Sequence, residues 1–132
     1  MSMIRLDHVA IEVPSLNRYL EKFVGTGGLR LLRRGVATAT GAPIAMLGDR
    51  NGTKIELIEN VSATDLRFLH VAFCTEDVDA AATQCRQDGW DVSRGPLTIE
   101  AARARSAFMT DGAGFEFQIL SYEADSPDMA TW

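Results

Sequence analysis

The sequence predicts an α+β protein built from two tandem modules, each with the element order β-α-β-β-β. Two observations lead to this prediction. The chain resembles itself at a shift of 62 residues, and each half shows the same succession of strand-like and helix-like hydrophobic patterns. With 132 residues, the chain is long enough for one domain with a substantial core and too short for two ordinary ones.

The repeat is most visible at the two histidines of the chain, His8 and His70, each of which opens a His-Val-Ala tripeptide. The same shift aligns apolar residues, glycines and aspartates further along the sequence. An ungapped register over most of the chain indicates a duplicated unit. Further pairs in this register are Leu16 with Val78, Gly27 with Gly89, Asp49 with Asp111, Gly52 with Gly114, and Leu57 with Ile119.

The first module, about residues 3–61, opens with a β-branched, apolar strand over residues 4–13. Ser15 is the predicted N-cap of a helix, because Leu16, Tyr19, Leu20 and Phe23 then follow at helical spacing. Glycines at 25, 27 and 28 end this helix. Three strands are predicted over residues 29–34, 43–47 and 53–59, the last two joined by the turn at 49–52.

The second module, about residues 66–123, repeats this order. A strand at 68–74 leads through the predicted cap Thr75 into a helix at 77–87. Strands at 91–93, 106–110 and 115–122 follow, with a turn at 111–114. We predict a single domain over residues 1–123 and a polar tail without secondary structure over 124–132.

Composition narrows the class of partner. A net charge of −5 argues against nucleic acid or an anionic membrane surface, and no apolar run approaches a membrane span. The N-terminus is too short and too soon charged to be a signal peptide, and the two cysteines form no CxxC pair. We therefore expect a cytoplasmic protein that binds a small molecule and neither nucleic acid nor membrane.

A carboxylate, Glu56, lies inside the apolar stretch IELI of the fourth strand, 48 residues after His8. In the repeat register its counterpart is Gln118, 48 residues after His70. Glu116 is the more conspicuous acid in FEFQI, but Gly52 and Gly114 precede Glu56 and Gln118 by four residues each. The register therefore favours Gln118 as the counterpart, with Glu116 as the second choice.

The four polar positions predict a metal site made of His8, Glu56, His70 and Gln118. Two imidazoles, a carboxylate and an amide oxygen suit Zn, Ni, Co, Mn or Fe(II), and differ from a thiolate zinc site. Four protein ligands around an octahedral ion leave two positions for water or substrate. The alternative is that each histidine is a hydrogen-bonded core residue, but the repeated arrangement favours the metal site.

The motifs LDHVAIEVPSL, GTKIELIE and LHVAFCTEDVDAA, with the D-x-x-G turn before FQIL, resemble the vicinal oxygen chelate superfamily. This superfamily includes glyoxalase I, methylmalonyl-CoA epimerase, extradiol dioxygenases and bleomycin-resistance proteins. The resemblance covers about residues 3–122. It implies curled mixed sheets that form an open metal-containing cavity, bidentate binding of vicinal substrate oxygens, and a homodimer. It also implies that the four residues named above are the metal ligands.

The sequence departs from each of these subfamilies at one or more of the four positions. Bacterial glyoxalase I would place Glu at position 118, and methylmalonyl-CoA epimerase would place Gln at 56 and Glu at 118. Extradiol dioxygenases need a carboxylate on the last strand, and metal-free antibiotic-binding members lack the histidines. Three functions therefore remain open: a metal-dependent lyase or isomerase, a ring-cleaving dioxygenase, and a non-enzymatic protein that binds a drug or metabolite.

For the lyase or isomerase, a carboxylate has to remove a proton from the carbon beside a metal-polarised carbonyl. Glu56 is the candidate base, and Glu116 or Glu12 would supply a second base on the opposite face of the substrate. Arginines on the strands could bind an anionic substrate group, although exposed charges usually have only a surface role. These arginines are Arg33, Arg34, Arg103 and Arg105.

Overall fold

A computed structural model describes residues 3–129 of the chain. The described residues form two compact units: His8–Leu69 with the segment beginning at Pro127, and His70–Ser126 with the start of the chain up to Asp7. Each unit contains one βαβββ module, and the predicted α+β class is confirmed. The longest helix has 10 residues, so no helix of the described chain has the length and apolarity needed to cross a membrane.

The first module forms a four-stranded mixed sheet in the order β2-β3-β4-β1. Strand β1 runs parallel to β4, whereas β3 is antiparallel to both β2 and β4. The elements are β1 (Met3–Val13), α1 (Leu16–Leu20), a π-helical segment (Glu21–Thr26), β2 (Arg30–Val36), β3 (Pro43–Gly48) and β4 (Lys54–Glu59).

Helix α1 begins where two acceptors meet its free amides. The Ser15 hydroxyl accepts from the backbone N–H of Arg18 at 3.3 Å, which confirms the predicted N-cap, and the Glu59 carboxylate accepts from the N–H of Leu16 at 2.9 Å. The apolar face of the helix, with Leu16 and Leu20, packs on β3 and β4 to form the core of this module. The predicted stripe of apolar residues is thus the buried face.

The second module repeats this topology, with strand order β5-β8-β7-β6 and a parallel β5–β8 pair. The N-cap of α2 is Asp77, whose carboxylate accepts from the N–H of Ala80 at 3.0 Å, so the prediction of Thr75 as the cap is wrong. Both residues are good caps, and only the backbone geometry distinguishes them. The elements are β5 (Arg67–Thr75), α2 (Val78–Gln87), β6 (Asp91–Ile99), β7 (Ala104–Thr110) and β8 (Glu116–Tyr122).

Strand β6 is longer than predicted. The sequence pattern predicts a strand over residues 91–93, whereas the observed strand continues through Gly95 and Pro96 to Ile99. Its pairing with β7 shifts register on either side of Arg94, and these irregularities accommodate Gly95 and Pro96 on an edge strand. Gly95 has φ +89°, and a Cβ there would lie 2.7 Å from the carbonyl oxygen of Ser106. The other predicted strand limits lie within two residues of those observed.

The segment after Glu123 is more ordered than predicted, since Pro127–Met129 form a 3₁₀ turn. Asp128 is buried there and forms a two-pronged ion pair with Arg33 of β2, at 2.8 Å from Nε and 3.1 Å from Nη2. The Ser126 hydroxyl donates to the carbonyl of Ala102. The prediction that no element forms over 124–132 is therefore wrong at this turn, and residues 130–132 lie outside the described chain.

Neutralising Asp128 is expected to destabilise the protein. In Asp128→Asn the Arg33 guanidinium, 9% exposed, loses the negative charge and one of the two oxygen acceptors that Asp128 supplies, and breaking a buried ion pair in this way typically costs about 3 kcal/mol. The free energy of unfolding from urea denaturation measures this loss. The matched control is Asp125→Asn in the same segment, where the exposed pair with Arg103 has little effect on stability. Equal destabilisation by both variants would contradict the expectation.

Candidate metal centre

In the first module, His8 and Glu56 lie on one face of the sheet. In the parallel β1–β4 register Ala10 lies opposite Glu56. Side chains alternate along a strand, so His8 shares the face of Ala10 and stands diagonal to Glu56. His8 is buried and Glu56 is half-buried. The predicted pair is therefore brought together by strand pairing, although its members are 48 residues apart in the chain.

The second module places His70 and Gln118 in the same arrangement. Ala72 lies opposite Gln118 in the parallel β5–β8 register, so Gln118 occupies in β8 the position that Glu56 occupies in β4. Both His70 and Gln118 are buried. The Gln118 side-chain amide donates to the hydroxyl of Ser106 at 2.8 Å. This hydrogen bond engages the nitrogen of the amide and leaves its oxygen as the ligand-type atom.

One ligand atom each of His8, Glu56 and His70 lies within 4.8 Å of the other two. Bond lengths of about 2.1 Å would hold the ligand atoms of a single ion within about 4.2 Å of one another. The observed spread is close to this value, and the donors are the imidazole and carboxylate groups that divalent ions prefer. The three residues thus form a group that could bind a metal ion, as the sequence pattern predicted.

Glu116 belongs to a different local environment. It lies two residues before Gln118 on β8, is half-buried, and accepts a hydrogen bond from the hydroxyl of Ser93 at 3.2 Å. It is not in the His/Glu/His group found among the described residues. Glu12, the other predicted second base, is 3.3 Å from Arg67. The roles of Glu116 and Glu12 as bases stay predictions.

The four arginines predicted as candidate anion-binding groups all have partners within their own units. Arg33 pairs with buried Asp128, and Arg34 donates to the side-chain oxygen of Asn17 at 3.0 Å. These interactions favour structural roles for the four arginines over binding of an anionic substrate group. Arg103 pairs with Glu123 and Asp125, and Arg105 pairs with Asp79 at 2.8 and 3.0 Å.

The Arg105 pair connects α2 to β7. Its hydrogen bond to Asp79 holds the pKa of that carboxyl below its usual value, and the same bond raises the pKa of the guanidinium. Both side chains are largely exposed, so solvent screens the attraction and its contribution to stability is small. The pair is therefore a surface feature of the second unit.

Sequence reasoning missed the surroundings of Asp7, which precedes His8 directly. The Asp7 carboxylate is fully buried, and accepts from the hydroxyl of Tyr122 at 2.6 Å and from the thiol of Cys74 at 3.4 Å. These bonds fix the backbone beside His8 to β5 and β8. Because side chains alternate along a strand, Asp7 lies on the opposite face from His8, and nothing in the sequence pattern indicates that it meets Cys74 and Tyr122.

Two curated relatives have enzyme names. A probable lactoylglutathione lyase of Vibrio cholerae is 26% identical over 127 residues, which cover 91% of this chain and 92% of that protein. A lactoylglutathione lyase of Arabidopsis thaliana is 29% identical over 123 residues, or 88% of this chain. This match spans 44% of the plant protein, so the chain corresponds to less than half of it.

Solved structures give the same fold. Streptomyces coelicolor methylmalonyl-CoA epimerase, as a variant in complex with 2-nitronate-propionyl-CoA, has a TM-score of 0.79 at 25% identity and covers 93% of this chain and 100% of its own. The epimerase of Mycobacterium tuberculosis has a TM-score of 0.81 at 19% identity, and the match covers 92% of this chain and 89% of that protein.

A family model matches residues 7–108. The chain belongs to the Glyoxalase/Bleomycin resistance protein/Dioxygenase superfamily.

Proposed function

We propose that the protein is a divalent-metal-dependent lyase or isomerase of glyoxalase type that acts on a small oxygenated metabolite or thioester. The observation that supports this most is the approach of His8, Glu56 and His70, whose ligand atoms lie within 4.8 Å of one another. Two imidazoles and a carboxylate from three separate strands are an uncommon combination in a hydrophobic core. A shared ion explains why the chain gathers them.

The proposed ligands are His8, Glu56, His70 and the amide oxygen of Gln118. Ser106 supports the last of these, because its hydroxyl holds the amide nitrogen and so fixes the orientation of the oxygen. When bound, a divalent cation supplies Lewis acidity that stabilises negative charge on a substrate oxygen. The mixed nitrogen and oxygen donors suit Zn, Ni, Co, Mn or Fe(II).

Glu56 is proposed as the catalytic base. One of its carboxylate oxygens removes a proton from the carbon next to the substrate carbonyl. In an isomerisation the proton is delivered to the carbonyl carbon while the hydroxyl proton of the first carbon moves to the carbonyl oxygen; in an epimerisation it returns to the same carbon. Inversion at one carbon needs a second acid on the other side of the substrate. Glu116 is proposed for that step, and the hydroxyl of Ser93 at 3.2 Å would hold its carboxylate in place.

The relatives suggest where to look for the substrate. The Vibrio cholerae protein is named a probable lactoylglutathione lyase, and the Streptomyces coelicolor structure is a methylmalonyl-CoA epimerase with a CoA ligand. We propose a sulfur-linked substrate of one of these two kinds, a hemithioacetal or a thioester. We further propose a cytoplasmic homodimer in which residues 1–123 act as a single domain.

The test begins with metal content. Protein supplemented with each of the five metals and then desalted is expected to retain about one divalent ion per cavity, measured by elemental analysis. The loaded forms are then assayed with the methylglyoxal–glutathione hemithioacetal and with methylmalonyl-CoA. Absence of bound metal in every preparation would refute the proposal.

The two other functions give different results in the same experiment. A ring-cleaving dioxygenase would consume oxygen with Fe(II) and a catechol, and would be inactive on both thiol-linked substrates. A binding protein would hold its ligand tightly after treatment with a chelator and after loss of His8. Either result would replace the lyase or isomerase assignment.

A further inference from the structure

We propose that Arg94 binds a carboxylate group of the substrate beside the His70–Gln118 pair, so that this site selects small metabolites carrying a carboxylate. The proposal rests on the proposed function, because it concerns the substrate of the same site. It assigns a role to a residue that the sequence motifs do not single out. Its support comes from strand register, from two ring contacts and from a comparison between the two modules.

Arg94 lies in one row with the candidate ligand Gln118. In the antiparallel pairing of β6 with β7, Arg94 lies opposite Phe108, and in the pairing of β7 with β8, Phe108 lies opposite Gln118. Directly opposed residues project from the same face of a sheet. His70 shares that face, because it is two residues from Ala72, the β5 partner of Gln118.

Ring contacts place the guanidinium near His70. The guanidinium carbon of Arg94 lies 4.0 Å from the ring centroid of Phe108, and the rings of Phe108 and His70 meet edge to face at 5.3 Å between centroids. The sum of these two distances is an upper limit, so the guanidinium carbon lies within 9.3 Å of the His70 ring centroid. A metabolite of a few carbon atoms can span that distance.

The first module has an arginine at the equivalent place. There Leu31 lies opposite Leu47, the next residue is skipped by a register shift, and Arg33 lies opposite Met46, the partner of Glu56. In the second module Val92 lies opposite Met109, a shift skips one residue, and Arg94 follows opposite Phe108. The bulge is thus part of the duplicated unit, and Arg33 and Arg94 are its corresponding arginines.

The two arginines differ in what they bind. The Asp128 carboxylate holds Arg33 through two hydrogen bonds, from Nε and from Nη2. For Arg94, no hydrogen bond or ion pair of the guanidinium occurs with any other residue in the 3–129 range. The first module thus shows that an arginine in this row of strands takes a carboxylate, and the second module presents the same group without one.

The contact with Phe108 also prepares Arg94 for this role. The aromatic face attracts the flat guanidinium and restricts its movement, while the N–H groups point outward in the plane and stay available. A planar carboxylate matches two of these N–H groups, as Asp128 does with Arg33. An exposed arginine is ordinarily only solvated, but this one is fixed at a repeated position next to the candidate ligands.

Titration with succinate at low ionic strength tests the proposal, using the metal-free and the zinc-loaded protein. NMR follows the shift of the Arg94 side-chain Nε–H resonance as succinate is added. Calorimetry measures the affinity of the protein for succinate. We expect succinate to shift that resonance, and Arg94→Met to weaken binding by about 10-fold or more. Arg86→Met, which removes an exposed arginine of α2, is the matched control and changes affinity less than about 2-fold.

Several results would overturn the proposal: an unmoved Arg94 resonance, equal losses in Arg94→Met and Arg86→Met, binding of dimethyl succinate as tight as that of succinate, or tighter binding of inorganic phosphate. Zinc affinity, measured separately, is expected to be the same in Arg94→Met and in the wild type. Failure of the wild-type protein to bind succinate, although it binds zinc, would refute the carboxylate site alone. Succinate binding by a wild-type protein that fails to bind any of the five metals when they are supplied would refute the proposed function alone.

Discussion

Replacement of His70 by alanine is expected to abolish binding of divalent metal. The substitution removes one of the three donors that lie within 4.8 Å of one another. Loss of an outer partner of a metal ligand already costs about 10- to 100-fold in affinity, so loss of a ligand costs at least about 100-fold. Binding can be followed as the rise in melting temperature with added zinc, because an ion that binds only the folded state stabilises it.

Two further variants decide the fourth ligand. Gln118→Met keeps the volume of the side chain but removes its oxygen, and is expected to weaken zinc binding. Glu116→Gln, two residues earlier on β8, is expected to leave zinc affinity unchanged, since Glu116 lies outside the His/Glu/His group of the described chain. The opposite pattern would make Glu116 the ligand.

A His70→Gln variant, which restores a donor, separates loss of the ligand from loss of packing against Phe108.

Exchange of Glu56 for glutamine is expected to remove most of the catalytic activity while the protein still binds metal. The amide keeps the shape of the side chain and an oxygen donor, but it cannot accept the substrate proton. Positioned general bases contribute about 10²- to 10⁴-fold to a rate, so kcat should fall by that factor with the substrate found in the activity screen. Stopped-flow or steady-state kinetics with the metal-loaded variant provides the measurement.

Glu76→Gln, at an exposed position between β5 and α2, is the control variant. It removes one negative charge, as Glu56→Gln does, but leaves the proposed base in place. This variant should turn over at the wild-type rate. If Glu56→Gln kept full activity and Glu116→Gln lost it, the base would be Glu116. If exchange of the substrate α-proton with solvent survived in Glu56→Gln while net turnover stopped, Glu56 would act in the second proton transfer.

The duplicated architecture could be predicted because it depends on local patterns that the chain repeats. Hydrophobic periodicity marks strands and helices, and a constant shift of 62 residues shows that the same unit occurs twice. The same register distinguished Gln118 from the more conspicuous Glu116, and the β1–β4 and β5–β8 pairings confirm that Gln118 matches Glu56 in position. The ligand role of Gln118 stays a prediction.

The errors lie where local signals are ambiguous. Thr75 and Asp77 are both good N-caps, and only the dihedral angles of the folded chain select Asp77. The glycine and proline after Arg94 normally end a strand, yet on an edge strand a shift of register accommodates them. These positions depend on the neighbouring strand, which the sequence pattern of a single element does not describe.

By itself, then, the sequence determined the α+β class, the two modules and the positions of His8, Glu56, His70 and Gln118, because periodic burial and internal repetition are properties of the chain alone. Only the tertiary structure decided which charges meet. Arg33 finds its carboxylate 95 residues away at Asp128, while Arg94, at the equivalent place in the other module, has none among residues 3–129. Such pairing depends on how distant segments pack, and short patterns carry no record of it.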